Sequence, residues 1–203
     1  MCTIILYKKN SAFNWSYGVE LSENDKQFLL SLARRTVEAR VADLPVPEIA
    51  DPSPVLNTKC GAFVTLHKRG NLRGCIGYIE AYKPLFKTIA EMAESAALRD
   101  PRFAPVSRAE VKDLHIEISV LSPLRTIDDP GEIEVGKHGI VIERGRNRGL
   151  LLPQVAGEQG WDRETFLAHS CMKAGVEPDA WKTKTATIRV FTATVFSEKE
   201  TRH

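Results

Sequence analysis

An arginine and a cysteine two residues apart are the side chains of this sequence with the clearest chemical potential. Arg73 and Cys75 lie in the segment Leu-Arg-Gly-Cys-Ile-Gly, residues 72–77. The thiolate is the nucleophilic form of cysteine, and a nearby guanidinium favours it by lowering the thiol pKa. Gly74 and Gly77 would weaken a strand interior, which indicates a bulge or a close backbone approach. The segment therefore predicts either a reactive site or a tightly packed corner.

His67, on the preceding strand, is the candidate base for this thiol. The pattern predicts a hairpin with strands over residues 60–68 and 72–79. A two-residue and a three-residue loop are both compatible with it, and a one-residue shift turns every side chain over. We favour the three-residue loop because it gives one apolar face. It places His67 opposite Arg73 and diagonal to Cys75, where a cysteine–histidine pair could perform acyl transfer or thiol exchange.

Two carboxylates, those of Glu117 and Asp100, are candidates for orienting that histidine, although the sequence does not place them. The alternative is that Cys75 is a small buried core residue, since free cysteines are commonly buried. Both interpretations stay open at the level of sequence.

A charged loop, Arg-Asp-Pro-Arg-Phe at residues 99–103, follows the predicted second helix. Arg73, Asp100 and Arg102 could form a structural ion-pair network that ties the hairpin to this loop. They could also form an anion pocket, because paired guanidiniums bind carboxylate or phosphate through two parallel hydrogen bonds. In that case Gly74 and Gly77 would let the ligand approach the backbone.

His138 and Gln154 are further candidates for ligand binding. His138 lies just before a predicted strand, and Gln154 lies in a predicted loop after Pro153. The alternatives are a turn histidine bonded to the backbone and an amide that stabilises its loop. Neither HxH nor HExxH accompanies the histidine, so we predict no metal site, and the cofactor is unknown.

The composition is that of an ordinary globular protein. The 203 residues include 28 basic and 26 acidic ones, a net charge of +2, which argues against a broad nucleic-acid-binding surface. The first apolar run is too short for a signal peptide, and no run reaches the length of a membrane span. The four cysteines are scattered without a CxxC pair. We therefore expect reduced thiols in a cytoplasmic protein.

Helix caps and alternating strands predict the surrounding scaffold. Ser22 with Asp25 three residues later starts one helix, Pro84 a second, and Asp162 a third that ends at Gly175. Strands are predicted over residues 114–121, 133–135, 139–143, 149–152 and 187–196. Because hairpins outnumber strand–helix–strand units, we predict an α+β fold, a mainly antiparallel sheet with flanking helices, in a single domain over residues 1–203.

Several segments in order resemble the AMMECR domain family, whose prokaryotic members are also called AmmeMemoRadiSam system protein A. The similarity covers residues 21–198 and leaves residues 1–18 as an additional N-terminal segment. It is carried by residues 61–66, 72–77, 99–103, 117–123, 136–140, 151–156, 161–162 and 171–175, and by Trp181. One departure is that Thr192 and Thr194 stand where many relatives have an acidic residue.

The resemblance implies an α+β domain with a larger and a smaller lobe, but no settled activity. It implies partners in a shared pathway, namely a Memo-like protein and a radical S-adenosylmethionine protein. We expect an enzyme that acts on a small anionic substrate at a pocket around residues 72–77. The alternative is a non-catalytic protein-interaction or scaffold module, in which those residues shape a groove.

Overall fold

The chain divides into two compact units. The structure, a computed structural model, describes residues 3–4, 19–46, 48–49 and 52–198. The first unit holds the described residues up to Leu121 together with those from Thr194 onward, and the second unit spans Ser122–Ala193. No helix within these described ranges is long and apolar enough to cross a bilayer.

Helices and strands alternate irregularly along the chain, and each unit has one sheet. The helices are α1 (Glu23–Val41), α2 (Leu85–Leu98), α3 (Pro153–Glu158) and α4 (Arg163–Lys173). The strands are β1 (Thr3–Ile4), β2 (Ala62–Lys68), β3 (Asn71–Tyr78), β4 (Leu114–Leu121), β5 (Arg125–Ile127), β6 (Gly139–Arg144), β7 (Asn147–Leu151), β8 (Thr187–Phe191) and β9 (Ala193–Ser197). The α+β prediction is confirmed.

The sheet of the first unit has the order β1-β3-β2-β4-β9. The strands β3, β2 and β4 are antiparallel neighbours, whereas β1 runs parallel to β3. The helices α1 and α2 share a core with one sheet face, because side chains alternate between the faces of a strand. That core includes Leu29, Val64, Ile76, Ile89 and Ile118, all at most 1% exposed.

The sheet of the second unit has the order β5-β8-β6-β7 and is antiparallel throughout. Its core joins strand residues such as Ile140 and Val190 to Phe166 and Leu167 of α4. The cap of α4 is as predicted, because the Asp162 side chain accepts the Thr165 N–H.

The hairpin of β2 and β3 has a two-residue turn, so the predicted three-residue loop is wrong. Lys68 pairs with Asn71, and the turn residues Arg69 and Gly70 have φ angles of 51° and 79°. A positive φ angle at both residues is required by the two-residue turn whose backbone twist matches that of the flanking strands. A register shift between Leu66 and His67 then adds one residue on β3.

The bulge restores most of the predicted pairing despite the shorter turn. Beyond it, Thr65 lies opposite Cys75 and Val64 opposite Ile76, as the longer loop would have placed them. His67, however, pairs with Leu72 and not with Arg73.

Three other predicted elements differ from the structure. Residues 133–135 are not a strand, because the chain there leaves a 3₁₀ turn and enters the turn before β6. The strand predicted over residues 187–196 is interrupted at Thr192, and its two parts, β8 and β9, belong to different sheets. Pro84 is the N-cap of α2, so the helix begins at Leu85, one residue later than predicted.

Candidate functional site

The side chain of Cys75 is fully buried on the sheet face opposite the helices. Its cross-strand neighbour is Thr65, whose hydroxyl donates a hydrogen bond of 3.2 Å to Sγ. Cys75 is disulfide-bonded, whereas Cys60 and Cys171 are free thiols, and Cys2 lies outside the described residues. The expectation that all four cysteines are reduced is therefore wrong for Cys75. A sulfur in a disulfide is not a thiolate, so in this state it is not a nucleophile.

The backbone of Cys75 is held by the loop that follows α2. Asp100 Oδ2 accepts the Cys75 N–H at 2.9 Å, and Arg102 Nη2 donates to the Cys75 carbonyl at 3.2 Å. Asp100 and Arg102 are themselves paired, with an Nη2–Oδ2 distance of 2.5 Å. We call this arrangement the backbone clamp. It satisfies both backbone groups of Cys75 on the β1 side of β3, where the described residues of β1 pair with Ile76 and Gly77.

The carboxylate of the clamp stays ionised although it is buried. Burial of Asp100 raises its pKa, but hydrogen bonds from Arg102 and from the Cys75 N–H outweigh burial, and the net pKa is lowered. The clamp ties the hairpin to the loop after α2, as the structural interpretation of this loop expected. Arg73 is not part of it.

Arg73 lies at the bulge of β3 and pairs with a residue that the sequence interpretation did not select. Its Nε donates to Glu110 Oε1 at 3.1 Å and its Nη2 donates to Glu110 Oε2 at 3.3 Å. A bulge changes the direction of the side chain at the extra residue. The register shift therefore accounts for Arg73 leaving the regular alternation of β3.

Glu110 accepts three further hydrogen bonds. Lys68 Nζ donates to Oε1 at 2.9 Å, and the Ser107 N–H and hydroxyl each donate to Oε2 at 3.0 Å. The hydrogen bond from Arg73 is the largest reason that the pKa of Glu110 lies far below its usual value, followed by those from Ser107 and Lys68. Lys68, Arg73 and Ser107 together form what we call the carboxylate site.

A sequence signal for part of this site exists. Ser107 and Glu110 form an S-x-x-E pattern, which is typical of a side chain that returns to the backbone N–H three residues earlier. The convergence of Lys68 and Arg73 on that turn depends on the β-bulge. No local pattern indicates it.

The aromatic ring of Phe103 lies beside two guanidinium groups. The guanidinium carbons of Arg73 and Arg102 are 5.9 and 5.4 Å from its centroid, within the range of cation–π attraction. The Arg73 side chain is 14% exposed, and its Nη1 is buried without a hydrogen-bond acceptor among the described residues. Two positive charges thus lie next to one apolar ring, and one donor group of Arg73 is unused.

His67 and Glu117 are placed on the same sheet face as Cys75, but neither is its direct neighbour. Glu117 pairs with Thr65, which lies between it and Cys75, so two strand spacings of about 5 Å separate them. His67 pairs with His115 on one side and Leu72 on the other. Among the described residues, Thr65 donates a hydrogen bond to the sulfur.

The predicted glycine positions bring the backbone close to protein groups. A Cβ atom built on Gly74 would lie 2.2 Å from the Ala96 carbonyl oxygen of α2. One built on Gly77 would lie 2.3 Å from the Phe63 ring. Tight packing is thus the observed role of both glycines.

The other two candidates, His138 and Gln154, belong to the second unit. His138 is buried, and its Nδ1 accepts the Glu134 N–H at 3.0 Å. Burial is the main reason that its pKa is lowered. Gln154 is half-buried in the first turn of α3, where a loop was predicted. The structure therefore has His138 as a turn histidine bonded to the backbone.

Metal chemistry has no candidate ligand set in the described part of the chain. No group of three or more His, Cys, Asp or Glu side chains within it is placed to hold a metal ion.

Thiol labelling will test the redox assignment of the cysteines. In urea without reductant, iodoacetamide should label Cys60 and Cys171 but leave Cys75 unmodified. In the folded protein at pH 8 both free thiols should react slowly, because burial raises the pKa of Cys60 to about 11 and also raises that of Cys171. Peptide mass spectrometry with and without dithiothreitol measures all three. Labelling of Cys75 without reductant would contradict the disulfide.

Two proteins similar to this chain have names that state no function. The sequence profile of the AMMECR1 family matches residues 30–196. A protein of Methanothermobacter thermautotrophicus is 44% identical over 185 residues, covering 88% of this chain and 96% of the relative. Protein MK0488 of Methanopyrus kandleri is 44% identical over 192 residues, covering 90% and 93%.

A solved structure has the same fold. The crystal structure of the uncharacterised protein PH0010 from Pyrococcus horikoshii matches with a TM-score of 0.85 and 39% identity. The match covers 88% of this chain and 94% of that one. Together with the profile match over most of its length, this similarity shows that the chain belongs to the AMMECR1 family.

Proposed function

We propose that the chain binds a small anion, a carboxylate or a phosphate, at the cationic cluster of Lys68, Arg73 and Arg102 beside Phe103. The observation that carries the proposal is the Arg73 guanidinium, which is largely buried and has an Nη1 without an acceptor among the described residues. A buried charged donor is costly unless it is paired, so such a group marks a position for an acceptor.

The chemistry of the cluster suits an anion with two or more oxygens. A guanidinium presents a planar fork of donors that fits carboxylate and phosphate, whereas the ammonium of Lys68 adds an adaptable point charge. The cations Lys68, Arg73 and Arg102 face two carboxylates, those of Glu110 and Asp100. The cluster therefore keeps one positive charge beyond its internal pairs.

Binding is a better-supported role than thiol catalysis. The Cys75 sulfur is buried, disulfide-bonded and contacted by Thr65, and His67 pairs with Leu72. These observations favour a non-catalytic module over a cysteine–histidine nucleophile. We retain the Memo-like protein and the radical S-adenosylmethionine protein as proposed partners, which joint purification with this chain would test.

A titration with inorganic phosphate will test the anion site. We expect saturable binding by isothermal titration calorimetry, and at least tenfold weaker binding for Arg73→Ala, because the fork of donors is lost. Arg146→Ala is the matched control, since Arg146 is exposed at the turn between β6 and β7 in the second unit. Equal phosphate affinities for the wild type and Arg73→Ala would refute the site.

A further inference from the structure

Glu110 fills positions that an external anion at this cluster would use. Both of its oxygens are hydrogen-bonded, Oε1 to Lys68 and Arg73, and Oε2 to Arg73 and Ser107. A paired guanidinium, an ammonium, a backbone N–H and a hydroxyl are also the donors that bind a phosphate or carboxylate ligand. The carboxylate site is thus an anion site with a side chain of the protein in it.

We propose that Glu110 is an internal ligand, which a small exogenous anion displaces from Lys68 and Arg73 when it binds. This inference rests on the proposed anion-binding function and specifies its regulation. The affinity for the external anion is then set by competition with Glu110, because the same donors serve both.

The burial of Arg73 supplies a physical reason for such a ligand. Its side chain is 14% exposed, and a largely buried charge without a counter-ion is strongly unfavourable. Glu110 neutralises this charge while no external anion is bound. The exchange preserves the count of charge-assisted hydrogen bonds on Arg73, since an incoming oxygen replaces each departing one.

The position of Glu110 permits the exchange. It lies outside the sheet, just before a 3₁₀ turn that begins at Val111, and its side chain is 21% exposed. Lys68 is 32% exposed at the end of β2. The release of Glu110 therefore requires rotation of side chains at the surface and leaves the paired strands and the core of the first unit intact.

Phosphate affinity of Glu110→Gln measures this competition. The amide keeps the size of the side chain but loses the charge, so we expect phosphate to bind at least tenfold more tightly than to the wild type. Asp113→Asn is the control. Like Glu110→Gln it removes one negative charge, but from an exposed side chain three residues further along the chain. It should change the affinity less than twofold. Circular dichroism of each variant verifies folding.

Each outcome separates this inference from the proposed function. Tighter binding by Glu110→Gln alone supports an internal ligand. Equal binding by the wild type and Glu110→Gln overturns the internal ligand and leaves the anion site standing. Weaker binding by Glu110→Gln also overturns it, since Glu110 would then position Arg73. If neither protein binds phosphate, both the site and its regulation fail.

Discussion

Gly74→Ala is expected to destabilise the protein by about 3 kcal/mol or more, the upper range for inserting atoms into a packed core. The new Cβ would lie 2.2 Å from the carbonyl oxygen and 3.1 Å from the carbonyl carbon of Ala96. Both atoms belong to the backbone of α2, which cannot yield as a flexible side chain would. Either β3 or α2 must shift, and the hairpin contacts both α2 and the backbone clamp. Urea unfolding followed by far-UV circular dichroism measures the loss.

Gly157→Ala is the control for this substitution. Gly157 lies in α3, and a Cβ there would meet nothing within 4 Å. Alanine is the better helix former, so this variant should match the wild type or exceed its stability by a few tenths of a kcal/mol. Equal stability of Gly74→Ala and Gly157→Ala would show that α2 does not approach β3 as closely as the structure has it.

The predictions that succeeded depend on local chemistry. Ser22 and Asp25 form the capping box of α1, and the positive φ of Gly175 follows the end of α4. A cap is encoded within four residues, so it can be read without knowledge of the tertiary contacts. The alternating pattern of residues 114–121 likewise predicts β4 with the observed bounds.

The predictions that failed depend on which neighbouring strand a segment pairs with. Residues 187–196 are one uninterrupted β-type run in sequence, yet the chain passes from one sheet to the other at Thr192. The Thr192 N–H donates to the Ser122 hydroxyl, and its carbonyl accepts the Ser122 N–H. A sequence pattern reports how a strand alternates and carries no information about its neighbours.

The sequence indicated which hairpin and loop contain the candidate site, but not which of its charged side chains pair with each other. Arg73, Cys75, Asp100 and Arg102 do contact the same hairpin and loop, but Arg73 pairs with Glu110 instead of Asp100. The two-residue turn with a compensating bulge produces this difference. The sequence pattern does not distinguish the two hairpins, because both place Val64 opposite Ile76 and keep the same apolar face.

Asp100→Ala is expected to lower the free energy of unfolding by about 3 kcal/mol at pH 7, the usual cost of removing one partner from a buried ion pair. The Asp100 side chain is 2% exposed and accepts hydrogen bonds from the Cys75 N–H and from Arg102. Its loss leaves a buried N–H unpaired and a guanidinium without its counter-ion. Urea unfolding of both proteins at pH 7 measures the difference.

The pH dependence of this difference identifies the charge of Asp100 as its cause. Because the pKa of Asp100 is lower in the folded than in the unfolded protein, the stabilisation is complete above the unfolded value of about 3.9 and is lost as the pH falls through the folded value. The gap between the wild type and Asp100→Ala should therefore narrow below about pH 4.

Asp100→Asn separates the charge from the hydrogen bond to Cys75. The amide oxygen can still accept the Cys75 N–H, but the ion pair with Arg102 is lost, so we expect an intermediate stability without the titration of Asp100. A gap between wild type and Asp100→Ala that stays constant from pH 7 to pH 3 would contradict the assignment. The clamp would then act through packing and its hydrogen bond to the Cys75 N–H, without a contribution from the charge of Asp100.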